Sequence, residues 1–259
     1  MSKAHVPPRA AGNRDKVTAT TVRIQDKIRR KGRPMAGGMW LYGLCGDCNS
    51  LAGCHYDTAY ADFVRVLETD ARSRPHLYLP RANPAPPVRL APGRVVRSIL
   101  IGMFATTPHL RVMFHDLAED LRNRREHITM PDGATLRMAL YPFRDTRLAS
   151  MFYGYRVLVR RQYYDVFSEV YFRPLAWALT PSDRGYDEHA GDSIFDHYAW
   201  ATVDEWLHYG DDVTSADLRD LCRGGVPQVV HPLLGQRQDD WVQAFNDEVT
   251  AVLEGEIPM

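Results

Sequence analysis

Two cysteines in the segment Cys45-Gly-Asp-Cys48 are the residues that most clearly indicate a chemistry. Two thiols three positions apart, joined by a tight turn, can both point at one ion, so this spacing is typical of half of a tetrahedral zinc site. Structural zinc takes four ligands, and Cys54 and His55 are the nearest residues that could supply the others. Asn49 is a good helix N-cap, so we expect a helix to begin directly after the pair.

Two other interpretations of the pair stay open. An intracellular Cys-x-x-Cys that opens a helix can be a redox dithiol, although no strand-helix-strand pattern surrounds this one. The two thiols can also be buried side chains without any chemistry. In a helix over residues 49–56, Cys48 could share a face with His55, whereas Cys54 would point elsewhere.

A histidine near the N-terminus stands in the segment Ala4-His5-Val-Pro-Pro. A His-Val-Pro-Pro segment followed some tens of residues later by Leu44-Cys-x-x-Cys-Asn49 resembles the HNH endonuclease family, over about residues 4–67. In that family a hairpin and a helix enclose a divalent metal ion, and a histidine takes a proton from water. The metal ion stabilises the charge that develops on the phosphate. Many members add a structural zinc ion held by two Cys-x-x-Cys zinc knuckles.

Carried over residue by residue, the resemblance implies a role for five residues of this chain. His5 matches the general base, Asn13 the asparagine that orients the base, and Asn49 the asparagine that opens the final helix. Cys45 and Cys48 match the second zinc knuckle. The resemblance therefore implies a structural Zn²⁺ and, in an active enzyme, Mg²⁺ or Mn²⁺ for metal-assisted hydrolysis of phosphodiesters. It also implies a phage, mobile-element or defence setting.

Two departures from the family pattern bear on catalysis. Family members usually place an acidic metal ligand just before the histidine, whereas this chain has Ala4, so Asp15 or Asp47 would have to supply the carboxylate. The first zinc knuckle would precede His5, which only four residues precede, so we expect either a native start further upstream or the loss of that knuckle. The alternative prediction is a catalytically inactive zinc-knuckle binding or structural protein.

Charge is distributed unevenly along a chain whose net charge is zero. Residues 1–50 contain ten Lys and Arg against three Asp and Glu, whereas residues 176–259 contain four against seventeen. A basic segment can bind phosphate, so we expect nucleic acid to contact the N-terminal end; the alternative is a solvated basic arm. The predicted phosphate-binding side chains are Lys3, Arg9, Arg14, Arg29, Arg30, Lys31 and Arg33.

The overall composition is that of an ordinary globular protein. Apolar residues make up 45% and charged residues 25% of the sequence, both close to the usual values. No apolar run approaches the roughly 20 residues of a membrane span, and no secretory signal is recognisable. Four cysteines, two of them in one Cys-x-x-Cys, fit a reducing compartment, so we expect a cytoplasmic protein with no membrane partner. The sequence leaves a protein partner or a homo-oligomer open.

The sequence divides into three parts. Residues 73–92 are predicted to be an extended linker, because six prolines lie between positions 75 and 92. The linker separates residues 1–72, the HNH-like zinc-knuckle module, from residues 93–259, a domain of unknown role. The predicted fold class is α+β, with a small zinc-knuckle (HNH or treble-clef-like) module joined to a larger domain that has an antiparallel sheet and flanking helices.

Hydrophobic periodicity predicts the elements of the N-terminal half. We expect a loop-rich segment first, then a short strand from Met39 that runs into Cys45, and a helix from Asn49 to near Asp70. Two further helices follow the linker. Their predicted limits are Val95 to Phe104 for the first and Thr107 to Leu121 for the second.

The C-terminal half changes from a helical period to a period of two, which is typical of strands. After a turn at residues 131–133, three antiparallel strands are predicted at residues 136–140, 152–159 and 166–179, the last broken near Pro174. An acidic loop follows over residues 181–196. The last two predicted elements are a helix from Trp200 to Tyr209 and a helix from Asp239 to Leu253.

Overall fold

The computed structural model describes residues 1–23, 28–73, 85–142, 145–158, 161–181, 200–228 and 250–256. Within these ranges the chain is an α+β protein with helices and antiparallel sheets, as the sequence predicts. The strands are Ser2–His5 (β1), Val17–Arg23 (β2), Ile28–Met35 (β3), Trp40–Leu44 (β4), Arg89–Leu90 (β5), Ala134–Leu140 (β6), Asp145–Leu158 (β7), Arg161–Phe172 (β8), Leu175–Pro181 (β9), Ala201–Thr202 (β10), Ala216–Asp217 (β11) and Thr250–Glu256 (β12). The α-helices are Gly46–His55 (α1), Asp57–Ser73 (α2), Pro92–Thr106 (α3), Leu110–Met113 (α4), His115–Arg122 (α5) and Leu218–Leu221 (α6), with 3-10 helices at Arg9–Ala11 and Asp204–His208.

Eight of these strands form one antiparallel sheet in the order β10-β6-β9-β8-β7-β12-β2-β3. Strands β1 and β4 form a separate two-stranded hairpin, and β5 pairs with β11. The β2–β3 hairpin lies between β1 and β4 in the sequence. The β2–β3 hairpin is therefore an insertion in the connection between β1 and β4.

The main core lies between one face of the large sheet and helices α2 and α3. Alternation along β9 places Leu175, Trp177 and Leu179 on this face, and all three are fully buried. The Trp177 ring lies 6.4 Å from the Tyr60 ring of α2, measured between centroids. The same buried cluster includes residues of β1, β4 and α1, so the small hairpin is anchored on the core.

The three predicted antiparallel strands are confirmed. The strand predicted at residues 136–140 lies within β6, and the one at residues 152–159 lies within β7 as far as the described residues extend. The third is divided into β8 and β9 on either side of Pro174. A proline lacks the N–H that a strand ladder needs, which explains why the sequence showed this break.

The segments that flank this sheet give one confirmed prediction and one correction. The turn at residues 131–133 is confirmed, since Gly133 has a positive φ of 94° that glycine adopts without strain. The helix predicted from Trp200 to Tyr209 is wrong. Strand β10 lies there and pairs with β6, and it is followed by a 3-10 helix. The Asp204 carboxylate of this helix accepts a 2.6 Å hydrogen bond from the Leu136 N–H. This bond to a strand holds the segment against the sheet edge.

The helices after the linker follow the predicted apolar stripes. The first prediction is confirmed by α3, and the second is interrupted at Phe114, whose φ of −120° and ψ of 56° are not helical. The two pieces, α4 and α5, still bury Leu110, Leu117 and Leu121. The stripe therefore predicts burial correctly but gives no sign of the bend.

The N-terminal helix begins earlier than predicted and is divided in two. The strand before it is confirmed as β4, but the helix starts at Gly46 and not after Asn49. It ends at Tyr56, which has a φ of −123° and is fully buried. The chain turns at this residue because its ring occupies the core, and α2 continues to Ser73, beyond the predicted end near Asp70.

Two predictions near the chain ends are wrong. The segment predicted as loop-rich contains β2 and β3, whose Val and Thr residues favour strands although Lys and Arg interrupt their alternation. The helix predicted as far as Leu253 is instead strand β12 over its last residues, where it pairs with both β2 and β7. Residues 239–249 lie outside the described ranges. Because β12 lies between β2 and β7, its backbone N–H and C=O groups can form hydrogen bonds with both strands.

The predicted domain boundary stays a prediction. Residues 74–84 of the linker and residues 182–196 of the acidic loop lie outside the described ranges. The buried core contains residues from both sides of the linker. In the part of the chain that the structure describes, no helix is both long and apolar enough to cross a membrane.

Candidate functional site

The β1–β4 hairpin presents one face to the core and the other to solvent. His5 pairs with Trp40 and Ala4 pairs with Leu41. Because paired residues of antiparallel strands share a face and successive residues alternate, Ala4 and Leu41 lie on the inner face. Ala4 is 2% exposed, and Leu41 packs against the same core.

The inner face is fixed against helix α3 at Gly43. A Cβ atom at this position would lie 2.1 Å from the Ala105 carbonyl oxygen, so only glycine allows the close approach. The Arg111 guanidinium also donates a 2.7 Å hydrogen bond to the Gly43 carbonyl. Among the described residues, these contacts hold the hairpin from its inner side.

Four side chains form what we call the outer hairpin face: Lys3, His5, Trp40 and Tyr42. The Lys3 Nζ lies 4.1 Å from the centroid of the Trp40 ring. The Trp40 and Tyr42 rings meet edge to face, with centroids 5.3 Å apart and an interplanar angle of 78°. These contacts confirm that both strands contribute to one surface, which combines a cation, an imidazole and two aromatic rings.

The ring of His5 is oriented by a backbone carbonyl. Its Nε2 lies 2.9 Å from the Gly37 oxygen, and since a carbonyl only accepts, Nε2 must carry the hydrogen. In the neutral ring Nδ1 is then the proton acceptor. Partial burial lowers the pKa of His5 from its ordinary value, and the nearby charges of Lys3 and Arg9 lower it further, while the bond to Gly37 opposes them. This environment favours the neutral ring, which can act as a base.

Asn13 holds the two ends of the hairpin together. Its side chain is 1% exposed, and its Nδ2 donates to the carbonyl oxygens of Pro7 at 2.7 Å and Met39 at 2.8 Å. Its Oδ1 accepts from the Met39 N–H at 2.6 Å. These three bonds fix the chain next to Gly37, the residue that orients His5. Asn13 therefore acts on His5 through the backbone, because its three hydrogen bonds all join main-chain atoms of Pro7 and Met39.

Helix α1 follows β4 directly, and its first turn is capped by Cys45. The Cys45 Sγ accepts the Cys48 N–H at 3.2 Å, whereas Asn49, the predicted cap, lies inside the helix with its N–H bonded to the Cys45 carbonyl at 3.1 Å. The Asn49 side chain instead reaches β1, where its Nδ2 lies 3.4 Å from the Lys3 oxygen. It thus joins the helix to the strand that carries His5.

The two thiols of the Cys-x-x-Cys lie side by side, with the Cys45 and Cys48 sulfurs 2.9 Å apart. When Cys45 is ionised, the Cys48 thiol and N–H can both donate to its sulfur, and these bonds lower the pKa of Cys45. Burial, followed by the bond to Cys45, raises the pKa of Cys48 to about 11. The pair therefore favours a Cys45 thiolate that accepts a hydrogen bond from a protonated Cys48.

The described residues do not complete a zinc site around these sulfurs. Within the described ranges, no group of three or more His, Cys, Asp or Glu side chains could hold a metal ion. Cys54 is exposed, and the His55 ring packs against Tyr56 at 6.1 Å between centroids. Two sulfurs are thus in place and two of the four ligands are not supplied by this part of the chain, so structural zinc stays a prediction.

The described residues also do not fit a catalytic Mg²⁺ or Mn²⁺. The position before His5 is occupied by the buried methyl group of Ala4, which offers no oxygen. The charged side chains that act on the pKa of His5 are the cations Lys3 and Arg9. Within the described ranges His5 belongs to no group of three His, Cys, Asp or Glu side chains that could hold a metal ion.

No family model, curated protein or solved structure matches this chain. The interpretation of the site therefore depends on the geometry of its own residues.

The predicted basic residues fall into two groups. Lys3, Arg9 and Arg14 are exposed around the hairpin, and the Arg14 Nε donates to the Arg9 carbonyl at 3.1 Å. Arg29, Arg30, Lys31 and Arg33 belong to β3, which ends the order of strands in the large sheet. The first group gathers beside His5, and the second lies on the inserted hairpin.

Sequence reasoning missed Trp40 and Tyr42 as members of the site. The sequence pattern indicates only that both residues belong to a strand. Alternation could have identified them, because Met39 and Leu41 take the inner positions and leave the two aromatic side chains on the other face. Tyr42 is 60% exposed.

Proposed function

We propose that this chain is a nucleic-acid-binding protein whose N-terminal hairpin and helix form an HNH-like module. The observation that carries the proposal is the outer hairpin face, where a neutral, oriented His5 lies beside the exposed cations Lys3 and Arg9. Strand β1 with the histidine, the loop with Asn13, strand β4 and helix α1 follow along the chain, with β2 and β3 inserted before β4. This succession of a hairpin and a helix supports the proposal. Phosphate groups are bound by such clustered cations.

Binding is favoured over cleavage because the described residues supply cations and a base but no carboxylate for a metal ion. Lys3 and Arg9 can neutralise phosphate without a metal ion. A zinc ion on Cys45 and Cys48 belongs to the same proposal and would stabilise the start of α1. Its other two ligands would have to come from outside the described ranges or from a second molecule.

The binding proposal is tested by fluorescence anisotropy with labelled DNA and RNA, single-stranded and duplex, from about 50 to 200 mM salt. We expect the affinity to fall with salt and Arg9→Ala to weaken binding and reduce the salt slope by about 1. Arg65→Ala is the matched control, because Arg65 is an exposed arginine of α2 whose charge is already paired with Asp62 at 2.7 Å. Absence of binding at the lowest salt, or an equal loss in both variants, would refute the proposal.

Cleavage of nucleic acid is a second candidate function, favoured by the orientation of the His5 ring. The neutral Nδ1 would accept the proton of a water molecule that attacks the phosphate, while one P–O ester bond breaks and the leaving sugar oxygen takes a proton from solvent. The test is an assay with Mg²⁺ or Mn²⁺, in which His5→Ala should reduce a measured rate by about 10²–10⁴-fold. If no cleavage occurs with either ion while binding persists, the binding proposal stands alone.

A further inference from the structure

The outer hairpin face contains an aromatic ring that is unusually open to solvent. Among the side chains whose exposure the structure describes, which leaves out most of β7 and β8, Tyr42 is the one aromatic ring in the exposed large hydrophobic group. Trp40 is only half-buried and supports Tyr42 edge to face, at 5.3 Å between centroids. Lys3 in turn lies over the Trp40 ring. The three side chains are therefore held in one arrangement with the Tyr42 ring outermost.

An open ring beside cations fits a specific ligand chemistry. A nucleotide offers both a flat base, which stacks on aromatic rings, and a phosphate, which binds cations. Within a duplex the faces of the bases are already stacked on one another, so only an unpaired base can use the Tyr42 ring. Lys3 and Arg9 are exposed and lie near His5, where the adjoining phosphate would be.

We propose that the outer hairpin face binds an unpaired nucleotide, with its base stacked on Tyr42 and its phosphate held by Lys3 and Arg9 beside His5. This inference rests on the proposed function and narrows its ligand to single strands or unpaired ends. The four side chains of the face include one cation and no carboxylate, and the nearby Arg9 adds a second cation, so the charge favours an anionic occupant such as a nucleotide.

The test compares a single-stranded thymidine homopolymer of about 20 nucleotides with a duplex of equal length, by anisotropy. Tyr42→Leu keeps an apolar side chain but removes the ring, and should weaken single-strand binding by about 5- to 150-fold, the loss expected for one stacked base. Duplex binding should change by less than about twofold, and Tyr42→Phe should bind like the wild type. Val112→Ala, which alters an exposed side chain of α4, is the control.

A strand that contains a single 2-aminopurine reports stacking directly, because stacking on an aromatic ring quenches its fluorescence. We expect quenching by the wild type and by Tyr42→Phe, and none by Tyr42→Leu. The same sequence made as RNA shows whether the protein binds a ribose or a deoxyribose strand more tightly. Thermal melting of each variant checks the fold, and an exposed residue should leave the melting temperature nearly unchanged.

The outcomes separate this inference from the proposed function. If both duplex and single strand bind with salt dependence but Tyr42→Leu binds and quenches like the wild type, stacking is wrong and nucleic-acid binding stands. If Tyr42→Phe loses as much affinity as Tyr42→Leu, the hydroxyl group and not the ring face makes the contact, and the inference is overturned. If no nucleic acid binds while self-association depends on Tyr42, both proposals fail.

Discussion

Asn13 and Met39 are joined by two hydrogen bonds, one in each direction. The Met39 N–H donates to the Asn13 Oδ1 at 2.6 Å, and the Asn13 Nδ2 donates to the Met39 oxygen at 2.8 Å. The side-chain amide thus replaces the backbone of a neighbouring strand at the end of β4. This contact fixes the position of Gly37 and, through it, the ring of His5.

Replacement of Asn13 should therefore destabilise the protein. Asn13→Ala would leave the Met39 N–H and the Pro7 oxygen without these partners, whereas the Met39 oxygen keeps the Val6 N–H at 3.3 Å. Each unsatisfied buried group costs about 1–3 kcal/mol. For a chain of this size, each kcal/mol lowers the melting temperature by about 2–4 °C. Asn123→Ala is the control in a thermal melt, because Asn123 is an exposed side chain bonded to Glu119 at 3.5 Å. Equal melting temperatures for the two variants would contradict the assigned role of Asn13.

The His5 environment predicts a dependence of stability on pH. Because its pKa is lower in the folded protein than in the unfolded chain, the folded state binds this proton less tightly. The contribution of His5 to the free energy of unfolding is fully present above the unfolded pKa of about 6.5 and is lost as the pH falls from there toward the folded pKa. His5→Ala should remove this part of the slope in melts between about pH 5 and 8.

A histidine NMR titration measures the same effect at the residue itself. The His5 ring proton should titrate below about 6.5, and the signal is assigned by its loss in His5→Ala. A titration midpoint above 6.5 would mean that the bond to Gly37 outweighs burial and the two cations. The neutral base would then be the minor form near neutral pH.

The thiol pair predicts selective reactivity. Cys45 should be alkylated by iodoacetamide at a lower pH than an ordinary thiol, because the Cys48 thiol and N–H stabilise its thiolate. Cys48→Ala removes the thiol donor and should move the pH midpoint of Cys45 alkylation upward, whereas Cys48→Ser retains a donor and should move it less. Mass spectrometry of the labelled peptides identifies the site.

Elemental analysis of the purified protein tests zinc at the same pair. Bound zinc should protect Cys45 from alkylation, and a chelator should remove the protection. Protein without zinc, with Cys48→Ser melting like the wild type, would leave the thiol pair as a helix cap alone. If Cys45 is still alkylated at an unusually low pH, the first turn of α1 is native. The absence of zinc would then not result from misfolding.

Strand β4 and the first helix could be predicted because their signals are local, whereas β1 lies in the segment predicted as loop-rich. Cys45, Cys48 and the apolar stripe from Tyr56 to Leu67 act within a few residues, and the structure places them as the spacing indicates. The exact start of α1 could not be predicted in this way. Both Cys45 and Asn49 are able to cap, and the pairing of β4 with β1 decided between them by ending the strand at Leu44.

Other features depended on contacts distant in sequence. The bend at Phe114 separates two turns whose leucines keep a helical spacing, so periodicity alone could not show it. The strand at Thr250–Glu256 pairs with β2 and β7, which lie far from it along the chain. Alternation separates Trp40 and Tyr42 from Leu41 and Gly43, but it does not show which pair faces solvent. The close approach of Gly43 to Ala105 of α3 decides this and places the two aromatic rings on the outer hairpin face.

The insertion of β2 and β3 between Asn13 and Gly37 joins the site to the large sheet through a single point of the chain. Val17 and Met35 are paired across the base of the inserted hairpin, so the chain leaves and re-enters the site at nearly one position. The Asn13–Met39 contact closes the site at this position, and β2 is held by β12. Strand β3 ends the order of strands, so the charges from Arg29 to Arg33 could change in evolution without displacing His5. Charge on this edge strand and the chemistry beside His5 can therefore vary independently.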